Sequence, residues 1–139
     1  MDSGSIGVGI IGLGTVGGGV MRLLEDAPTS MRRREHVEFS IERVAVRDLS
    51  KERDVEIDPA KLTDDPTAVL DDPNVQLVVE LTGAEPAYEW VRGALERGKD
   101  VVTANKALLA ERGEELNAMA REKGAQLHFE ASVAGGIPI

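Results

Sequence analysis

The stretch "GIIGLGTVGGGVMRLL", residues 9–24, is rich in glycine at its start and then turns apolar at helical spacing. Glycine destabilises the interior of a strand or helix, so its concentration here indicates that another group approaches the backbone closely. Gly12, Gly14 and Gly17 form the pattern G-x-G-x-x-G. In dinucleotide-binding folds these glycines allow a tight turn, admit a pyrophosphate to the backbone, and let the helix pack on the strand.

The context of this pattern is the one that a dinucleotide site requires. An apolar strand over residues 6–11 precedes it, a helix from residue 15 that ends at Pro28 follows, and a second strand is predicted over residues 37–46. The alternative is a glycine-rich turn in an ordinary α/β domain. No G-K-[S/T] sequence follows the glycines, which disfavours a nucleoside-triphosphate P-loop.

The rest of the chain continues the alternation of strands and helices. Further strands are predicted over residues 76–81, 100–103 and 125–131, and helices over residues 86–97 and 105–123, the latter with a break at Gly113 as an option. Residues 48–75 are predicted to hold little regular structure, apart from one short helix over residues 66–70. This order predicts an α/β fold: a Rossmann-like, doubly wound parallel sheet with helices on both faces.

Composition narrows the class of protein. The chain has 139 residues, a formal net charge of −9 and no cysteine. Such a charge disfavours nucleic acid and anionic membranes as partners, and the lack of cysteine excludes disulfides and thiolate metal sites. We expect a cytoplasmic protein, since no signal peptide or run of transmembrane length is visible. The apolar, glycine-rich end "SVAGGIPI" predicts that residues 1–139 are one domain cut from a longer protein.

The end of the second strand bears on the choice of dinucleotide. It reads "VAVRD", which places Arg47 before Asp48. An acidic residue at this point binds the ribose 2′-hydroxyl of NAD, whereas an arginine pairs with the 2′-phosphate of NADP. We favour NADP through Arg47, and NAD through Asp48 stays open.

Three further stretches carry a resemblance to a known family. They are "VVELTGAEPA" (78–87), "VVTANKALLA" (101–110) and "FEASVAGGIPI" (129–139). Together with the glycine turn and "VAVRD", they resemble the cofactor domain of homoserine dehydrogenase over nearly the whole chain. That family interconverts aspartate 4-semialdehyde and homoserine with NAD(P)H in threonine and methionine biosynthesis. The resemblance therefore implies an oxidoreductase that acts on a small amino-acid substrate.

The resemblance also implies cofactor-binding residues. Arg47 matches a position that binds the 2′-phosphate in members that use NADP. Thr82 and Gly83 match the place where a hydroxyl and the backbone meet the nicotinamide ribose. The turn that faces the pyrophosphate is matched by Gly12, Leu13, Gly14, Thr15, Val16 and Gly17.

Lys106 is the one catalytic candidate. At the start of a predicted helix its charge opposes the helix macrodipole, which argues mildly for a functional role over a solvated lysine. The resemblance implies that Lys106 lies near the nicotinamide and the substrate and assists catalysis. A cation there would stabilise the alkoxide-like oxygen that develops during hydride transfer.

A monovalent cation site, for Na⁺, is also implied by the resemblance. It would be formed by Glu130 with loop carbonyls at Val133, Gly135 and Ile137. Oxygen ligands from an irregular loop suit a hard cation. The alternative is that this loop only turns the chain toward the next domain.

The family's substrate-binding and dimerising domain follows the last of these motifs and contributes the main catalytic residues. The resemblance thus implies a homodimeric parent enzyme and a fragment that binds cofactor with little or no turnover. Two other functions stay open at this point. One is the cofactor domain of another amino-acid-pathway reductase, and the other is a stand-alone module that senses a dinucleotide.

Overall fold

The computed structural model describes residues 5–12, 38–46, 58–82 and 86–129, and the structural statements below concern these residues. Their strands form one six-stranded sheet in the order β3-β2-β1-β4-β5-β6, and every neighbouring pair is parallel. This is the strand order of doubly wound dinucleotide-binding folds, so the predicted fold class is confirmed. The strands are β1 Ser5–Ile11, β2 Glu38–Ala45, β3 Leu62–Thr63, β4 Leu77–Glu80, β5 Asp100–Thr103 and β6 Leu127–Phe129.

Three α-helices lie among the described residues: α1 Pro66–Asp71, α2 Ala87–Glu96 and α3 Lys106–Lys123. A single 3₁₀ turn, Pro59–Lys61, precedes β3. Side chains cap the starts of two of the helices, because the Asp65 carboxylate accepts from the Thr67 N–H and the Asn105 side chain accepts from the Leu108 N–H. The first helix predicted from the sequence, from residue 15 to Pro28, lies outside the described residues.

The core occupies both faces of the sheet. In β1, Val8 and Ile10 are buried in one apolar cluster, whereas Ile11 is buried in the other. This explains why β1 reads as a near-continuous apolar run, since a strand covered on both faces has no polar side. Helices α2 and α3 contribute Val91, Leu95 and Leu116 to the second cluster.

A glycine in β1 lets α1 approach the sheet. A β-carbon on Gly9 would lie 2.4 Å from Cγ1 of Val69 in α1 and 3.0 Å from Cγ1 of Val75. The glycine is therefore explained by close packing, at the expected cost in strand stability.

Two details differ from the sequence-based expectations. Helix α3 runs through Gly113 without a break. One glycine costs a helix only about 1 kcal/mol, which the buried residues Leu108 and Leu116 on either side of it offset. Residues 48–75, expected to be weakly structured, contain α1 much as predicted and also the two-residue strand β3, which pairs with β2.

No helix in the described part of the chain is both long and apolar enough to span a membrane.

Candidate functional site

The candidate site lies where the strand order reverses. From β1 the chain proceeds outward through β2 and β3, and it then returns to place β4 on the other side of β1. Ligands of such sheets bind beyond the carboxyl ends of the strands at this switch point. Gly12 directly follows β1, and Thr82 lies two residues beyond the end of β4. Gly12 and Thr82, two of the residues predicted to bind the cofactor, therefore lie at the expected edge of the sheet.

Gly12 has a backbone conformation and surroundings that only glycine fits. Its φ is 94°, in the left-handed region that residues with a β-carbon rarely adopt. Its N–H donates to the Ala45 carbonyl at 2.9 Å, which ties the turn to the end of β2. A β-carbon on Gly12 would lie 2.5 Å from Cγ2 of Thr82. The space beside the first glycine of the motif is thus already taken by Thr82, and the turn admits no side chain here.

A buried carboxylate lies beneath this contact. Glu80, the last residue of β4, has no exposed surface. Its Oε2 accepts from the Thr82 N–H at 2.9 Å and from the Thr82 hydroxyl at 2.6 Å. Its Oε1 accepts from the hydroxyl of Thr103 at 2.7 Å. Burial of a carboxylate is costly unless its oxygens are hydrogen-bonded, and these donors meet that need.

The hydrogen bonds continue from Thr103 to the start of α3. Thr103 is the register partner of Glu80 in the neighbouring strand, and its hydroxyl accepts from the Asn105 N–H at 3.0 Å. The Asn105 side chain in turn accepts from the Leu108 N–H at 3.0 Å and caps α3. Lys106 is the first residue of that helix and is exposed. The predicted helix start is confirmed, and it places Lys106 at the same edge of the sheet as Thr82.

Glu80 and Thr103 were not identified from the sequence. A signal was present, because "QLVVEL" and "DVVT" each place a polar residue at the end of an apolar strand. A charged residue in a buried strand requires hydrogen-bond donors from its neighbours. Which neighbours supply them depends on the register between β4 and β5.

Of the residues predicted for the site, the described structure places Gly12 and Thr82 in contact, and it places Lys106 at the same edge of the sheet, after β5. The remaining predicted residues lie outside the described ranges: Leu13, Gly14, Thr15, Val16, Gly17, Arg47, Gly83, Glu130, Val133, Gly135 and Ile137. Within those ranges no group of three or more histidine, aspartate or glutamate side chains is placed to hold a metal ion.

A lysine at the opposite edge has a structural role. Lys99 immediately precedes β5, and its Nζ donates to the carbonyls of Asp72 at 3.0 Å and Val75 at 2.5 Å. Partial burial lowers the pKa of Lys99, a shift that the nearby Asp72 opposes. Because Lys99 lies at the amino end of its strand, it is separated from the switch point by the length of β5.

The geometry agrees with comparisons to known proteins. A family model described as "Homoserine dehydrogenase, NAD binding domain" matches residues 12–130. The homoserine dehydrogenase of Bacillus subtilis is 44% identical over 97% of this chain, and that of Pseudomonas aeruginosa is 46% identical over 95%. A crystal structure of homoserine dehydrogenase from S. aureus superimposes with a TM-score of 0.82 at 37% identity over 92% of this chain.

These matches support the resemblance inferred from the sequence and give no support to a separate sensing module. The chain spans only 31% and 30% of the two curated relatives and 33% of the S. aureus chain. The family model covers most of the residues, including Gly12, Glu80, Thr82, Thr103 and Lys106. The chain therefore belongs to the family of homoserine dehydrogenase NAD-binding domains.

Proposed function

We propose that this chain is the cofactor-binding domain, residues 1–139, of a longer homoserine dehydrogenase. The enzyme would interconvert L-aspartate 4-semialdehyde and L-homoserine with NAD(P)H, in threonine and methionine biosynthesis. The observation that carries this proposal is the contact between Gly12 and Thr82 at the switch point of the sheet, with Lys106 following the neighbouring strand β5 at the same edge. The relatives are about three times as long as this chain, which supports a substrate domain elsewhere in the protein.

The glycine turn and the loop after β4 would bind different parts of the dinucleotide. Gly12 to Gly17 would face the pyrophosphate, and the φ of 94° at Gly12 supports this role because it allows the tight turn with which such a site begins. Thr82 and Gly83 would face the nicotinamide ribose. Contact between Gly12 and Thr82 supports the assignment, since it makes the two surfaces continuous.

Lys106 would act on the substrate oxygen. A bound dinucleotide would supply the hydride, and negative charge would develop on the aldehyde oxygen of the substrate. The ammonium of Lys106, exposed at the first position of α3, would stabilise that charge. We place the main catalytic residues in the substrate domain, so this chain alone would turn over little or no substrate.

NADP is the proposed preference, with Arg47 as the residue that pairs with the 2′-phosphate. The fork of guanidinium donors fits a phosphate in two parallel hydrogen bonds. Under the competing assignment, Asp48 binds the ribose hydroxyls of NAD. We further propose a Na⁺ site at Glu130, Val133, Gly135 and Ile137 and a homodimeric parent enzyme, both of which the sequence resemblance supports. A cytoplasmic location is proposed from the composition of the chain.

A calorimetric titration of this chain with NADPH and NADH tests the proposal. We expect tighter binding of NADPH, and we expect Arg47→Ala to remove the difference between the two. Arg121→Ala is a matched control, because Arg121 is exposed in the last turn of α3, at the other end of that helix from Lys106. Equal or tighter binding of NADH by the wild type would assign the ribose to Asp48. Binding of neither at millimolar concentration would contradict the proposed dinucleotide site.

A further inference from the structure

Glu80 is a buried charged residue to which the proposed function assigns no role. Of the residues whose burial the structure describes, Glu80 and Thr103 are the ones that are both polar and fully buried, and they face each other. A carboxylate in such a place costs free energy that an apolar side chain of similar size would not. Its presence therefore needs a reason beyond filling the core.

Holding the two strands together is not a sufficient reason. The backbones of β4 and β5 are already paired over the full length of both strands, from Leu77 with Asp100 to Glu80 with Thr103. The Ala104 N–H extends this pairing with a bond to the Glu80 carbonyl at 3.2 Å. An apolar side chain at position 80 would leave these backbone bonds in place.

The side-chain hydrogen bonds of Glu80 instead connect two parts of the candidate site, the loop after β4 and the start of α3. Oε2 takes both donors of Thr82, which faces Gly12. Oε1 takes the Thr103 hydroxyl, whose oxygen receives the Asn105 N–H one residue before Lys106. One carboxylate thus connects the loop after β4 to the start of α3.

The direction of these bonds also sets what Thr82 offers a ligand. A hydroxyl has a single proton, and a carboxylate only accepts. Since the Thr82 hydroxyl donates to Glu80, any ligand group that hydrogen-bonds to the Thr82 oxygen must bring its own proton. The hydroxyls of a ribose meet that condition.

We propose that Glu80 is a positioning residue for the nicotinamide half of the dinucleotide: its carboxylate fixes Thr82 as an acceptor for the nicotinamide ribose and holds that acceptor in a set relation to the Lys106 end of α3. This inference rests on the proposed function. It assigns to Glu80 no contact with the cofactor itself.

The test compares a whole dinucleotide with its adenosine half. The ligands are NADPH and adenosine 2′,5′-bisphosphate, which lacks the nicotinamide mononucleotide; if the wild type prefers NADH, the pair is NADH and AMP. Binding to wild type, Glu80→Gln and Glu80→Met is measured by calorimetry, with thermal unfolding recorded for each variant. Methionine keeps the approximate length of the side chain and offers no carboxylate acceptor, whereas glutamine retains one acceptor oxygen.

We expect Glu80→Met to weaken NADPH binding about tenfold and Glu80→Gln to weaken it by a smaller factor. Binding of the adenosine half should change less than about twofold in both. Glu111→Gln, which alters an exposed carboxylate on α3, should leave the binding of both ligands unchanged. This selectivity separates positioning from a general loss of fold, which would weaken both ligands together. If Glu80→Met does not fold, Glu80→Gln carries the comparison alone.

The inference would be overturned if the variants bound both ligands equally more weakly than the wild type, or if they bound NADPH as tightly as the wild type. Either result would leave the proposed function intact. Failure of the wild-type chain to bind either ligand would overturn the proposed function, and this inference with it.

Discussion

Gly12 and Thr82 lie so close together that a β-carbon on Gly12 would come within 2.5 Å of Cγ2 of Thr82. The two residues follow β1 and β4, the strands on either side of the switch point. Such a contact requires both strand ends to be fixed, and the Gly12 N–H bond to Ala45 and the Thr82 bonds to Glu80 fix them. The site therefore depends on a glycine for two reasons, backbone conformation and space.

Gly12→Ala is expected to lower the free energy of unfolding by about 1–3 kcal/mol, because alanine is strained at a φ of 94° and its methyl group collides with Thr82. Dinucleotide binding should weaken at least about tenfold, since relief of the collision moves the turn. Denaturant unfolding and calorimetry measure the two effects. Adding Thr82→Ser, which removes Cγ2, should recover part of the stability; no recovery would assign the whole cost to the backbone.

Gly113→Ala is expected to have the opposite sign. Gly113 lies within α3, and its nearest neighbour to an added β-carbon would be Cβ of Leu109 at 3.9 Å, an ordinary contact. Alanine there should raise the free energy of unfolding by about 0.5–1 kcal/mol through helix propensity. Gly9→Ala is the matched comparison and should destabilise, because its β-carbon would meet Val69 at 2.4 Å. Destabilisation by Gly113→Ala in denaturant unfolding would refute the continuous helix.

The parts of the fold that were predictable follow from local patterns. Apolar runs fixed the identities of β1 and β4, and spacing fixed α2 and α3, since both signals lie within a few consecutive residues. The strand β3 was missed because Leu62 and Thr63 are too few to show a period, and their pairing with Val44 and Ala45 is a tertiary contact. Gly113 was a weak breaker because tertiary packing outweighs the propensity of one residue.

The candidate site divides in the same way. Gly12, Thr82 and Lys106 stand in or beside sequence motifs, so they were identified before the structure. Glu80 was missed because its partner Thr103 lies 23 residues further along the chain, in another strand. Only the register between β4 and β5 brings the two together, and no local pattern encodes that register.

A surface hydrogen bond between α2 and α3 is expected to make the stability of the fold depend on pH. The Tyr88 hydroxyl donates to the Glu115 carboxylate, and this bond, with Arg112 adding to it, lowers the pKa of Glu115 below its ordinary value of 4.5. A carboxyl with a lowered pKa contributes stability that is present above pH 4.5 and is lost as the pH falls through the folded-state pKa. Carbon-detected NMR titration of Glu115 measures that pKa directly.

Tyr88→Phe should raise the pKa of Glu115 toward 4.5 and shrink the acid-dependent loss of stability. The ring is kept, so the Arg112 guanidinium, 4.5 Å from the ring centroid, retains its stacking partner. The variant therefore isolates the hydroxyl. An unchanged titration of Glu115 in Tyr88→Phe would mean that Arg112, whose Nη1 lies 3.2 Å from the other carboxylate oxygen, holds the pKa down without the tyrosine.

The cap of α3 links the stability of the fold to the site. Asn105→Ala removes the acceptor of the Leu108 N–H and should cost about 0.5–2 kcal/mol of unfolding free energy. Asp65→Ala is a matched control, because Asp65 caps α1 through Thr67 beside the edge strand β3, with β2, β1 and β4 between it and β5. Both variants should unfold at lower denaturant concentration. In a longer enzyme that carries this chain, only Asn105→Ala should also lower kcat, because Lys106 occupies the turn that the cap holds. Equal losses of kcat in the two variants would show that α3 acts on the reaction only through overall stability.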